Sequence, residues 1–177
     1  MQLNWTRIKN RLGTVVAAIA LAAGIGAIQP TPAQAAPSPT YWTFRNIATE
    51  LWDRCLTSGK IDGSSTKVFM SKCNGSNFQQ WDWRGTDPTA SQPMLQLQNK
   101  ATGLCMATDN EHARNNSVWT SKCDWRKGMR FHYNDLSHYF YSALTNYGTC
   151  LTTSDSGAVY GNVHSAFGED SWRGSHS

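Results

Sequence analysis

Cys55-Leu56-Thr57, then Val68-Phe69-Met70-Ser71-Lys72-Cys73, then Gln79-Gln80-Trp81: this stretch decides the fold, because the chain writes it again. The second copy reads Cys105-Met106-Ala107, Val118-Trp119-Thr120-Ser121-Lys122-Cys123 and Met129-Arg130-Phe131. In both copies the steps from Cys to Val, Val to Cys and Cys to the closing aromatic are 13, 5 and 8 residues. A third copy begins at Cys150-Leu151-Thr152. Its first step shrinks to 9, but Val159 to His164 to Trp172 again gives 5 and 8, with His164 in place of the second cysteine. The leading cysteines lie 50 and 45 residues apart, a period that belongs to a fold built from repeated supersecondary units.

Around this frame nothing reads as a helix. Gly, Ser, Thr and Asn interrupt the chain every few residues, and apolar residues come in short runs such as Met94-Leu95-Gln96-Leu97 and Tyr139-Phe140-Tyr141. Short runs between regular turn signals predict an all-β domain. Glu50 to Arg54 resembles a helical turn, but it reads as a short insertion before Cys55.

The first 35 residues read as a secretory signal. Arg7, Lys9 and Arg11 precede an apolar stretch from Leu12 to Ile28, and Ala33-Gln34-Ala35 is a small-x-small cleavage site. A retained anchor is the alternative, since 17 apolar residues approach the length of a membrane span. Pro30, Pro32 and the cleavage triplet favour removal. Residues 36–40 then form a short leader, and 41–177 form one domain with repeats at about 41–90, 91–136 and 137–177. Without Arg7, Lys9 and Arg11 the 16 basic residues fall to 13, against 12 acidic ones. No basic stripe remains to attract nucleic acid, and no membrane contact is expected once the signal is gone.

An exported chain permits disulfides, and five cysteines allow two bridges with one left over. The repeat spacing favours Cys55–Cys73 and Cys105–Cys123. Zinc is the alternative, but gaps of 18 residues without a Cys-x-x-Cys pair are poor metal spacing. No metal and no cofactor is expected.

The three copies of a Cys-apolar start, a central Val, a second Cys and a closing Gln-x-Trp resemble the ricin-type β-trefoil lectins. The resemblance implies a β-trefoil of three four-stranded repeats, with Leu56, Met106, Leu151, Val68, Val118, Val159 and the closing aromatics in the core. It also implies where a sugar would sit. In that family an Asp two residues after the first Cys binds hydroxyls, and an aromatic two before the second Cys stacks on the ring. An Asn and a Gln near the closing motif complete the site. Here those positions hold Thr57, Ala107 and Thr152, then Ser71, Ser121 and Asn162; of the amides only Gln79 matches.

Other residues could rebuild a pocket. Trp119 and Tyr160 stand four before Cys123 and His164, on the same strand face as the family's stacking position. The candidate sites are therefore Asp109 with Trp119, and Asp155 with Tyr160 and Asn162. Ordinary strand aromatics and solvated turn carboxylates are the plain alternative. Cys150 and His164 occupy places that are bridged elsewhere. They read as a nucleophilic pair, a thiol for an intermolecular disulfide, or an inert buried thiol.

The expected function is a secreted, non-enzymatic lectin-like module with altered or partly lost sugar pockets, binding a carbohydrate or glycoconjugate. A trefoil scaffold with a protein partner, as in cytolethal-distending-type toxin subunits, is the alternative. A hydrolase lacks support, because neither Gly-x-Ser-x-Gly nor His-Glu-x-x-His occurs.

Overall fold

The computed structural model describes residues 39–47, 52–60, 65–85, 94–112, 114–144, 148–163 and 169–176. The signal expected over residues 1–35 lies outside them, as does His164. Among the described residues there are twelve strands in three groups of four. The first group is β1 (Tyr41–Asn46), β2 (Arg54–Ser58), β3 (Ser65–Lys72) and β4 (Trp81–Arg84). The second is β5 (Gln96–Asn99), β6 (Cys105–Thr108), β7 (Asn116–Ser121) and β8 (Phe131–Asn134). The third is β9 (Tyr139–Ser142), β10 (Thr149–Thr153), β11 (Val159–Val163) and β12 (Trp172–His176). Short 3-10 turns at Asn77–Gln79 and Lys127–Met129 precede β4 and β8. No helix among the described residues is long and apolar enough to cross a membrane.

Pairing makes this a β-trefoil. The outer strands of each group join into a closed ring: β12 pairs with β1, β1 with β4, β4 with β5, and β8 with β9. Single bridges close the remaining steps, Leu95 to Phe131 and Tyr139 to Ser171. The inner strands form three hairpins, β2–β3, β6–β7 and β10–β11. These cap the ring through β3–β7 and β7–β11 pairing and a Phe69–Ala158 bridge.

The alternation written in the sequence is obeyed on the cap. β3 buries Thr66, Val68 and Met70 and turns Lys67 and Phe69 outward; β7 buries Asn116, Val118 and Thr120. Leu56, Met106, Leu151, Val68, Val118, Val159, Trp81, Phe131 and Trp172 all lie in one buried cluster, with Phe44, Leu97 and Phe140 from the ring. The two buried indoles find acceptors: Trp81 Nε1 donates to Leu56 O at 2.9 Å, and Trp172 Nε1 to Leu151 O at 2.8 Å. Where two hairpins meet, a buried hydroxyl ladder joins them, Ser58 Oγ to Thr66 Oγ1 at 2.8 Å and Thr66 Oγ1 to Thr120 Oγ1 at 2.7 Å. Disulfides Cys55–Cys73 and Cys105–Cys123 tie the first two hairpins to their following loops, with Cα separations of 5.1 and 5.0 Å.

The inner strands β2, β6 and β10 are buried on both faces; in the first two repeats the segment before the closing aromatic folds back over the side away from the core. In the second repeat that segment lies so close that a Cβ on Gly128 would overlap the Thr108 carbonyl oxygen. Backbone at both ends of the contact leaves no flexible group to yield. Gly128→Ala is therefore expected to cost about 2–3 kcal/mol, the upper part of the overpacking range, read as a lower urea midpoint. Losing either disulfide through paired Cys→Ser changes is expected to cost about 3 kcal/mol on the chain-entropy model for loops of this length. A midpoint unmoved by both double variants would contradict that.

Candidate functional site

In the first two repeats the covering segments bring the family positions together, and the protein's own side chains occupy them. In the first repeat Thr57 Oγ1 and Ser71 Oγ share a hydrogen bond of 2.8 Å. Gln79 reaches into the same spot. Its Nε2 donates to Ser71 Oγ at 3.0 Å and Lys72 O at 2.9 Å, and its Oε1 accepts from Asn74 N at 2.8 Å. Gln79 is 1% exposed, so its amide holds the loop to the hairpin rather than facing solvent. In the second repeat Ala107 and Met129 take the corresponding places and form a small apolar cluster with Cys105, against which Trp119 and Cys123 pack. In the third, Thr152 and Asp170 are buried, and the Thr152 hydroxyl has no hydrogen-bond partner among the described residues.

The candidate constellations are regrouped by the tertiary structure. Tyr160 and Asn162 share the outward side of β11. Tyr160 OH sits 3.4 Å from Ser154 Oγ, and Asn162 Oδ1 accepts from Val163 N at 2.9 Å. Asp155 is exposed in the turn before β11, next to that Ser154. Asp109 follows β6, and its carboxylate accepts a 3.3 Å bond from Glu111 N. Trp119, packed on Cys105, Ala107 and Met129 of its own repeat, also borders the neighbouring one: β3 pairs with β7 so that Lys67 lies opposite Trp119.

Together they form a groove of about 430 Å³, lined by Gly59, Lys60, Ser65, Thr66, Lys67, Phe69 and Trp119. It runs between the first and second repeats, which is why no single repeat of the sequence discloses it. A second groove of about 410 Å³ runs between the second and third repeats, lined in part by Asn110, Glu111, His112 and Asn116. A smaller one, about 190 Å³, is lined by Trp42, Trp83, Leu95, Phe131, His132 and Tyr133 on the barrel. Trp83 itself packs on the core, 6.1 Å from Phe44 and 5.9 Å from Phe140 between ring centroids. Trp125 stays 39% exposed. Its ring lies against Gly85, where a φ of +71° and the absence of a Cβ let the indole approach.

Cys150 is buried and outside any disulfide. Burial pushes its thiol up to about 12, and the negative charge of Asp170 adds to that. A thiol so disposed is an inert hydrophobe at neutral pH rather than a nucleophile. Burial likewise raises Tyr133 to about 12, against a hydrogen bond from Gly174 N that favours the phenolate. No cluster of three or more His, Cys, Asp or Glu able to hold a metal occurs among the described residues.

Comparison with known proteins agrees with this geometry. Residues 43–166 match the model of the ricin-type beta-trefoil lectin domain. No curated protein matches the chain. Among solved structures, the designed three-fold symmetric protein ThreeFoil superposes with a TM-score of 0.61 at 15% identity, covering 76% of this chain and 96% of that one. The β-trefoil lectin of the Vibrio vulnificus hemolysin/cytolysin, with N-acetyl-D-lactosamine bound, gives 0.61 at 12% identity over 79% and 96%. The Rhizoctonia solani agglutinin gives 0.61 at 18% identity over 81% and 99%.

Two acids held neutral by burial imply a definite pH dependence. Folding keeps Cys150 and Tyr133 protonated above their ordinary values of 9.0 and 10.0. Their contribution is complete below those values and is lost as pH rises toward about 12. Urea midpoints are expected to fall from pH 9 upward, and Cys150→Val is expected to flatten that fall. A thiol reagent at pH 8, below the ordinary thiol value of 9.0, is expected to label the native protein far more slowly than the denatured, unreduced one. Rapid native labelling would contradict the burial.

Proposed function

The chain belongs to the ricin-type β-trefoil lectin family, and from that premise we propose that it is a non-enzymatic carbohydrate-binding module whose ligand sits beside Trp119 rather than at the family's usual positions. The observation that carries this is the contrast between filled and open places. At the usual positions, side chains already satisfy or cover one another: Gln79 with Thr57 and Ser71, Met129 with Ala107. A sugar hydroxyl would have to break buried hydrogen bonds there, at about 1–3 kcal/mol for each group left unsatisfied. Beside Trp119 the surface is concave, and a half-buried indole borders Ser65, Thr66 and Lys67. That combination suits a pyranose, whose C–H face packs on an aromatic ring while its hydroxyls find polar partners.

Export completes the proposal. The signal expected at residues 1–35, two disulfides and a hairpin cap stabilised by them suit an oxidising compartment. With the Cys150 thiol held protonated, the module binds and does not catalyse.

A glycan array probed with the chain from Ala36 onward checks the proposal, with Trp119→Ala and Tyr160→Ala beside it. Retention on at least one saccharide is expected, weakened about tenfold or more by Trp119→Ala, the scale of one lost aromatic contact of 1.4 kcal/mol. Tyr160→Ala is expected to change it by less than about twofold. No retention on any glycan, with stable capture of a second secreted chain instead, would favour the scaffold reading.

A further inference from the structure

The groove beside Trp119 has a charge as well as a shape. β3 turns Lys67 outward, directly opposite Trp119 on β7, and Lys60 stands where β2 has ended. A backbone bond from Gly59 N to Lys67 O, 2.8 Å, holds that end of the hairpin together and brings the backbone of both lysines to the groove. No acidic side chain is among the described lining residues; Asp62, between Lys60 and Ser65 in the sequence, lies outside them. The ion pairs among the described residues are Arg84 with Asp82 and Arg126 with Asp124, neither of which involves Lys60 or Lys67. Phe69 adds a second aromatic edge and is 37% exposed.

Two lysines beside an indole and a phenyl ring, with no acidic partner among the described residues, make a place where an anion gains. Its charge forms charge-assisted hydrogen bonds with the lysines, and the low-dielectric rings beside them strengthen the attraction. The related groove between the second and third repeats argues by contrast. It carries Glu111 and His112 and has neither lysine nor tryptophan among its lining residues, so the positive character belongs to one groove and not to the fold.

We propose that the groove between the first and second repeats binds an anionic saccharide, with a pyranose ring on Trp119 and its carboxylate or sulfate between Lys60 and Lys67. This rests on the carbohydrate-binding reading above and narrows it to a ligand class.

Calorimetric titration of the same chain with trigalacturonate, its uncharged methyl ester and a sulfated oligosaccharide of the same length tests it. An anionic ligand is expected to bind at least about tenfold tighter than the ester in low salt. That preference is expected to fade between about 0.05 and 0.5 M salt as the charges are screened. The two anionic arms distinguish a carboxylate from a sulfate ligand, and preference for either supports the proposal. Lys67→Met is expected to remove the preference while sparing ester binding, and Trp119→Ala to weaken acid and ester alike. Equal affinity for acid and ester, with both lost in Trp119→Ala, would overturn the anionic ligand and leave the carbohydrate reading standing. An anion preference that survives both Lys60→Met and Lys67→Met would place the charge elsewhere and overturn the site. Failure to bind any saccharide, charged or neutral, would overturn both.

Discussion

A buried indole must find a hydrogen-bond acceptor, and two such indoles set the geometry from which the rest follows. Trp81 and Trp172 are fully buried, and each donates to the carbonyl of the residue after the leading cysteine of its repeat, Leu56 or Leu151. The bond ties the last strand of a repeat to the first strand of its hairpin. With that strand fixed, alternation decides the outer one: Thr66, Val68 and Met70 must point inward, so Lys67 and Phe69 point out. Phe131 packs in the same way in the second repeat but carries no donor, and there the close approach of Gly128 to Thr108 holds the covering segment down instead.

The same covering segments occupy the family's usual sugar positions in the first two repeats with the protein's own side chains. A residue two before the closing aromatic lies over the hairpin whatever its type. As Gln79 it is enclosed by hydrogen bonds, as Met129 it completes an apolar cluster, and as Asp170 it is a buried acid near the Cys150 thiol. Three chemistries thus occupy one structural place. Among the described residues, open and chemically varied surface occurs between repeats, where hairpins of different sequence face one another. A lectin that has filled its intra-repeat pockets still has these boundaries to use.

The third repeat departs furthest from the pattern. Without a second cysteine its hairpin has no bridge, and Cys150 is left in the core as a protonated thiol. Its first strand nevertheless keeps full register with β11, from Thr149–Val163 to Thr153–Val159. Backbone pairing and the Trp172 indole therefore suffice where the disulfide is absent. The bridges strengthen the fold without defining it.

The trefoil, its three-part division, its core residues and its two disulfides were legible in the amino-acid sequence. Each depends on local periodicity repeated in register: Val68 to Trp81 and its two counterparts keep one spacing, and Leu56 to Val68 keeps its spacing in the first two copies. The candidate sites were legible only in part. Trp119 stood out by its strand position, but its partners did not, because Asp109 is near it in sequence while Lys67 and Phe69 are near it in space. Lys60 and Lys67 carried no signal at all, since exposed lysines on a hairpin are ordinary until a neighbouring repeat brings an indole against them. Asp155 and Tyr160, five residues apart, looked like a pair along the chain; Asp155 is exposed in the turn, and the Tyr160 hydroxyl reaches Ser154 beside it. A repeat encodes its own fold in its own residues; the surface between repeats exists only once β3 has paired with β7, and pairing across some fifty residues of chain leaves no local pattern to read.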